Sequence, residues 1–249
     1  MLKKTNYIHF TKNSNKNPKL NIKIDGSIIE PTDATTFLGV VLDKHLSWKT
    51  HINKITKQIS RSIGVMRRLK HTVPQHIIFS LYNTLVLPYI SYSNIAWALS
   101  DTTLNNFHCP WTDNNPSKLN NLFKLQKKAI RICTGSEYSA HTKDLFKKSK
   151  TLTIFDINKI QVAIFMDRYQ NNNLPKSFDN MFTRHKDIHN YNTRGVGNFI
   201  PTKPTSNLIK HSIQYIGPKM WNSLDPKLKS SISTKNIKIN FKTHLINNY

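Results

Sequence analysis

Residues 36–69 constrain the fold more than any other part of the sequence, because the spacing of apolar residues changes within them. A β-branched run that ends at Asp43 predicts a strand over residues 36–42. From Trp48 onward the apolar residues recur at steps of three and four, which is typical of an amphipathic helix. These residues are Ile52, Ile55, Ile59, Ile63, Met66 and Leu69. The stretch therefore predicts a strand followed directly by a long helix.

The side of this helix opposite the apolar residues is basic. Two interpretations are open: a solvated face of an ordinary amphipathic helix, or a surface that faces phosphates. The second gains weight because a later predicted helix, which ends at Gly135, has the same design. Its apolar face carries Leu119, Leu122, Phe123, Ala129, Ile130 and Cys133. The basic residues are Lys54, Lys57, Arg61, Arg67 and Arg68 on the first helix and Lys124, Lys127, Lys128 and Arg131 on the second.

The overall charge favours a polyanionic partner, with nucleic acid ahead of an anionic membrane. The chain carries 37 Lys and Arg against 13 Asp and Glu, a net charge of +24, which exceeds what solubility needs. The sequence has no apolar run of about 18 residues and no signal-peptide core, so we expect a soluble intracellular protein, cytoplasmic or nuclear, without a membrane partner. Two cysteines argue against a disulfide framework.

The remaining patterns predict a mainly α (α+β) fold. Short apolar groups before residue 42, with Asp25 and Gly26 between two of them, predict a small antiparallel β unit that contains a hairpin. Further helices are predicted from Pro74 to Pro88, over residues 141–148 and over residues 155–169, the last one buried. Tyr89, Tyr92 and Trp97 are predicted core residues, since buried aromatics dominate most cores.

The less regular segments divide the predicted chain into four parts. Residues 100–117 are predicted to be a loop insertion, and residues 171–207 a basic linker that has few apolar anchors over residues 183–207. A strand is predicted over residues 213–216, with a turn at Gly217 and Pro218 and helices after it. The four parts are a β unit at 1–47, a helical domain at 48–170, the linker at 171–207 and a C-terminal strand with helices at 208–249.

The sequence contains no recognisable catalytic or metal-binding pattern. Two-metal phosphoryl transfer needs converging carboxylates, and the thirteen acids include no doublet and no Asp-x-Asp. Cys109, Cys133 and two histidines, His108 and His141, lack the close paired spacing of zinc ligands. We therefore predict no catalytic residue, no metal site and no cofactor in this chain.

Several separated motifs together carry a resemblance to a known family. They are FLGVVLDKHLSWKTHI, RRLKHTVP, LYNTLVLPYISY, LQKKAIRI, YNTR and YIGPKMWNSLDPKLK, in this order. The sequence closely resembles the C-terminal part of reverse transcriptases from non-LTR retrotransposons of the jockey-like and CR1-like type, over almost its whole length. Ser93 and Ala98 depart from it, because relatives often carry Gly at these positions.

The resemblance implies a role for each part of the chain. Residues 1–47 would be the end of the palm, and residues 48–170 a thumb-like domain. Phe37, Leu38 and Gly39 would lie near the grip on the primer end. The catalytic aspartates of the family lie upstream of the matching part, so Mg²⁺ would bind aspartates that this chain does not contain. No catalysis is expected from this chain alone.

We therefore predict a truncated RNA-directed DNA polymerase of a mobile element that keeps a nucleic-acid-gripping region. It would hold a template–primer duplex through backbone phosphates, without reading sequence. Two alternatives stay open: an inert retrotransposon remnant, and a basic protein-interaction module. The sequence leaves the choice between RNA and DNA, and the oligomeric state, undetermined.

Overall fold

The structure, a computed structural model, describes residues 5–11, 20–100, 119–188, 191, 195–229 and 234–249. Apart from Ser100, the predicted loop insertion at 100–117 lies outside these residues. The chain forms two compact units, residues 1–57 and 58–249. The boundary between them falls inside the long helix that the sequence predicts. The four-part division therefore stays a prediction.

Short paired strands make up the first unit. The described strands are β1 (Asn6–Tyr7), β2 (Lys23–Ile24), β3 (Ser27–Ile28), β4 (Glu30–Pro31), β5 (Ala34–Phe37) and β6 (Val40–Asp43). Strands β2 and β3 form an antiparallel hairpin around Asp25 and Gly26, whose φ angles of 49° and 76° are both positive, as a type I′ turn requires. The predicted hairpin is confirmed. The predicted small antiparallel β unit is present in the pairs β2–β3 and β5–β6, and β1 and β4 add a parallel pair that the sequence does not predict.

The single strand predicted over residues 36–42 is instead a hairpin. Strand β5 pairs antiparallel with β6, and Phe37 lies opposite Val40. The two residues between them, Leu38 and Gly39, have φ angles of 45° and 82°. The apolar run continues through the turn, so the pattern of hydrophobicity does not reveal it. A Leu at positive φ is uncommon, and the Gly beside it is the one local signal of the turn.

Asp43 fixes the connection between this hairpin and the long helix. Its Oδ1 atom accepts hydrogen bonds from the backbone N–H groups of His45 and Ser47, at 3.2 and 3.0 Å. Its Oδ2 atom accepts from the backbone N–H of Trp48, at 3.0 Å. Because one buried carboxylate satisfies three backbone donors, the chain turns tightly after β6. Helix α1 (Lys49–Leu69) then begins at the next residue.

Helices dominate the second unit, so the prediction of a mainly α (α+β) fold is confirmed. After the end of α1, the described helices are α2 (Gln75–Leu85), α3 (Leu87–Ser91), α4 (Asn94–Trp97), α5 (Asn120–Cys133), α6 (Thr142–Lys148), α7 (Ile154–Gln170), α8 (Asn207–Lys210), α9 (Ile213–Ser223), α10 (Pro226–Lys229) and α11 (Thr234–Asn247). Single 3-10 turns occur at Ala98–Ser100, Lys176–Phe178 and His185–Asp187.

Helix α7 is the central helix of the second unit, as the sequence predicts. It packs against α3, α4, α9 and α11, and most of its side chains are buried. Polar pairs fix its position: the buried Asn158 side chain donates to the Asn94 Oδ1 atom at 2.6 Å, and the half-buried Gln161 side chain donates to the Ser91 carbonyl at 2.6 Å. Since buried amides are costly unless paired, these bonds favour one packing arrangement over others.

The strand predicted at 213–216 and the turn predicted at Gly217 and Pro218 were wrong, since both lie inside α9. Pro218 has no N–H for the Gln214 carbonyl, and that carbonyl instead accepts a bond from the Thr202 N–H at 3.3 Å. Gly217 is buried, and a Cβ atom there would lie 2.8 Å from the Sδ atom of Met166 on α7. Tertiary contacts therefore explain both helix-breaking residues.

The described part of the predicted linker at 171–207 contributes to the core. Phe182 and Phe199 are buried, and their rings lie 4.7 and 5.7 Å from the Tyr169 ring. Phe199 also exchanges two backbone hydrogen bonds with the Asn222 side chain on α9. The expectation of few apolar anchors over residues 183–207 overlooked the buried Phe199.

The aromatic residues around Pro88 divide into two groups. Trp97 is fully buried, as predicted. Tyr89 and Tyr92 are 42% and 56% exposed, so the prediction that they belong to the core was wrong. They lie in or next to the short helix α3, whose buried residue is Ile90.

Candidate nucleic-acid interface

The basic face of α1 is exposed along the length of the helix. Lys54, Lys57, Arg61, Arg67 and Arg68 are all exposed, and the 21 residues of α1 include no acid. Four of the five lie within an arc of about 60°, opposite the buried apolar side, and Arg67 lies further round. From Lys54 to Arg68 the face extends about 21 Å. Within the described ranges, none of the five forms an ion pair.

Buried contacts in each unit hold the helix in place. In the second unit Ile59 and Met66 are fully buried, and the Ser62 hydroxyl donates to the Leu85 carbonyl of α2 at 3.0 Å. In the first unit the backbone N–H of Val41 donates to the Nδ1 atom of the buried His51, at 3.3 Å. Burial, and secondly the Lys54 charge, lower the pKa of His51.

The basic face of α5 is less available than that of α1. Lys124 is exposed, but Lys127, Lys128 and Arg131 are half-buried. The Lys127 ammonium lies 4.5 Å from the centroid of the Phe123 ring. Arg131 donates from Nε to the Ala140 carbonyl at 2.9 Å. The pattern of charges predicts that all four residues contact phosphates. In the structure Arg131 also holds the Ala140 carbonyl, so it is less free to do so than Lys124.

A buried glutamine fixes α5 against its neighbours. The Gln126 side chain donates to the Tyr82 hydroxyl at 3.0 Å and to the Leu152 carbonyl at 2.9 Å. Its Oε1 atom accepts from the Ile154 N–H at 2.9 Å. Gln126 thereby joins α5 to α2 and to the first turn of α7. Burial raises the pKa of Tyr82 far above its ordinary value, so the hydroxyl stays protonated.

Helix α2 contacts the helices that carry both basic faces. It accepts the Ser62 bond from α1 and provides Tyr82 to Gln126 of α5. Its Gln75 side chain also donates to the Cys133 carbonyl at the end of α5, at 2.8 Å. Within the second unit, α2 therefore contacts both α5 and the part of α1 that begins at Gln58.

Phe37, Leu38 and Gly39, predicted near the primer end, form the tip of the β5–β6 hairpin in the first unit. Phe37 and Leu38 are 62% and 74% exposed. The tip carries no charged side chain. Contact with a ligand here would be apolar or through the main chain.

Among the residues that the structure describes, no group of three or more His, Cys, Asp or Glu residues is placed to hold a metal ion. Cys133 is buried, and burial raises the pKa of its thiol to about 12, whereas His141 is exposed. His108 and Cys109 lie outside the described residues.

Sequence reasoning missed Tyr138, which lies in the loop between α5 and α6. Its side chain is 74% exposed, and the Arg131 guanidinium lies over its ring at 5.9 Å from the centroid. The available signal was an aromatic residue among small polar ones, directly after a basic helix.

Comparisons with known proteins return no relative. No family model matches the sequence, and neither a curated protein nor a solved structure does so. In the described part of the chain, no helix is both long enough and apolar enough to cross a membrane.

Proposed function

We propose that the chain binds nucleic acid through backbone phosphates, and that it corresponds to the C-terminal, nucleic-acid-gripping part of an RNA-directed DNA polymerase of a mobile element. One observation carries the binding proposal: helix α1 contains no acid and presents five exposed cations, four of them on one face. The motifs that resemble non-LTR reverse transcriptases support the second part. The partner would be a template–primer duplex, inside the cell.

The physical basis is the release of counterions. Each Lys or Arg that neutralises a phosphate frees a condensed cation, so affinity falls as salt rises. On α1 the exposed cations have no acidic neighbour on their own helix that would compete with a phosphate. Such contacts position a duplex without distinguishing bases.

The proposal includes no catalytic step for this chain. In the family that it resembles, Mg²⁺ binds aspartates upstream of the matching part. In the first unit the buried Asp43 accepts three backbone hydrogen bonds, and in the second Asp156 accepts from Lys159 and Thr153. Both carboxylates are therefore occupied structurally. Purified chain with Mg²⁺, primer, template and deoxynucleotides should give no extension product.

The test of the binding site is a matched pair of charge-neutralised variants. The first carries Lys54→Gln, Lys57→Gln and Arg61→Gln, and the second carries Lys176→Gln, Lys203→Gln and Lys238→Gln at exposed positions elsewhere. Each variant loses three charges, so a difference between them reports on location. Binding to a fluorescent RNA–DNA hybrid would be measured by anisotropy from 50 to 200 mM salt, conditions over which phosphate contacts weaken markedly.

If all three residues contact phosphates, the first variant should lower the slope of log K against log salt by about 2.7, and the second should leave it nearly unchanged. Circular dichroism would check that both remain helical. Equal losses in both variants, salt-insensitive binding or strong sequence preference would each contradict the proposal. Unchanged affinity in the first variant would favour a protein-interaction module, and absence of cooperative melting in the wild type would favour an inert remnant.

A further inference from the structure

We propose that the loop after α5 presents Tyr138 as a stacking platform for an unpaired base, so that this surface binds single-stranded nucleic acid. The inference rests on the proposed function in that the chain binds a polyanion. It adds a second surface and a different form of the ligand.

The geometry of Tyr138 suits stacking. The Arg131 guanidinium lies over one face of the ring, with its central carbon 5.9 Å from the ring centroid. The residue is nevertheless 74% exposed, so a planar ligand can reach the ring from solvent. Aromatic rings bind bases by stacking, and a guanidinium on the far face adds a cation–π contribution.

The loop that carries Tyr138 is held in place by its own hydrogen bonds. Gly135 ends α5 with a φ of 65°, and the Ser136 N–H donates to the Arg131 carbonyl at 3.0 Å. Across the loop the Ala140 N–H donates to the Glu137 carbonyl at 3.2 Å, and the Ala140 carbonyl accepts from Arg131 Nε at 2.9 Å. Because the loop is tied at both ends, a base would find the platform already ordered.

Positive charge surrounds the platform. Residues 119–150 contain eight Lys or Arg and two acids, Glu137 and Asp144, both exposed. Three of the cations, Lys124, Lys127 and Lys128, lie on α5 beside Arg131. A basic surface with an exposed aromatic ring is the arrangement by which proteins hold single strands: cations follow the backbone and the ring stacks on a base.

A single strand fits this surface better than a duplex does. In a duplex both faces of an internal base are covered by neighbouring base pairs, so a protein ring cannot reach them. An unpaired base offers a free face. The exposed face of α1, by contrast, has no aromatic residue among its basic side chains and suits backbone contacts alone.

The experiment uses the full chain and two fluorescent ligands, a 12-nucleotide oligothymidine with one 2-aminopurine, and a duplex with blunt ends. The variants are Tyr138→Ala, Tyr138→Phe and, as a matched control, Tyr92→Ala, which removes a tyrosine that is 56% exposed elsewhere. Stacking quenches 2-aminopurine, so the readout separates stacking from charge attraction.

We expect Tyr138→Ala to weaken binding of the single strand by about fivefold or more. The same change should abolish the quenching and leave the salt slope and the duplex affinity unchanged. Tyr138→Phe should keep both affinity and quenching, because the ring remains, and Tyr92→Ala should match the wild type.

Unchanged quenching and affinity in Tyr138→Ala would overturn the stacking platform, and so would an equal loss of duplex binding. A third outcome would separate the two proposals. If neutralising α1 abolishes duplex binding, while Tyr138→Ala changes neither duplex nor single-strand binding, the proposed function stands and only this inference is overturned. A wild-type chain that binds neither ligand would overturn both.

Discussion

Replacing Gln126 by Leu should strongly destabilise the second unit, because one buried side chain there serves three partners. It bonds the Tyr82 hydroxyl, the Leu152 carbonyl and the Ile154 N–H. Ile154 is the first residue of α7, so its N–H has no acceptor within the helix. Leu keeps a similar volume and removes all three bonds.

The magnitude follows from the groups left without a partner. A buried donor or acceptor that loses its hydrogen bond costs about 1–3 kcal/mol. The added apolar surface of Leu offsets about 1–2 kcal/mol. Three such groups cost about 3–9 kcal/mol before that offset, so we expect a net loss of about 2–7 kcal/mol in the free energy of unfolding. For a unit of this size the melting temperature should fall by about 4–28 °C.

The measurement is urea and thermal unfolding by circular dichroism, with hydrogen exchange to assign the loss to the second unit. Tyr82→Phe is the matched control, because Gln126 then keeps two of its three bonds, and it should cost about 1 kcal/mol. The double variant should lose less stability than the two single variants lose together. The reason is that Gln126→Leu leaves the Tyr82 hydroxyl unpaired, and the double variant no longer contains that hydroxyl. A loss below about 1 kcal/mol for Gln126→Leu would refute the reasoning.

Two further predictions concern titration and reactivity. Since the pKa of His51 in the folded chain is lowered from 6.5 by burial and by Lys54, the unfolded chain binds more protons near that pH. The contribution of neutral His51 to the stability of the first unit should be fully present above pH 6.5 and should be lost as the pH falls through the lowered pKa. Urea titrations should find a much weaker pH dependence of stability in His51→Gln. Burial raises the pKa of the Cys133 thiol to about 12, so Cys133 should resist iodoacetamide at pH 8 in the folded chain and react in urea. Peptide mapping can measure both rates. Equal rates in the folded and unfolded chain would contradict the burial of Cys133.

The sequence predicts correctly those elements whose signal is local and repetitive. The apolar spacing of α1 and α5 identifies both helices and their buried sides, because a helix that packs on one side needs apolar residues every three or four positions. Helix α7 is apolar nearly all round, and that pattern identifies it as a buried helix. Asp25 and Gly26 identify a hairpin because their turn needs positive φ at two adjacent residues.

The errors occur where a distant partner outweighs the local pattern. Gly217 and Pro218 indicate a turn, yet Met166 and Thr202 accommodate both within α9. In the hairpin β5–β6 the apolar run hides a turn at Leu38 and Gly39.

The sequence also determines which residues carry the charge of the candidate interface. It determines that α1 and α5 each have a basic side, since the angle between residues on a helix depends only on their spacing. Only the tertiary structure decides how available those cations are: all five on α1 are exposed, whereas Arg131 donates to the Ala140 carbonyl and lies over the Tyr138 ring. Exposure and hydrogen bonding depend on residues that folding brings close to the helix. The spacing of residues along a single helix gives no information about those neighbours.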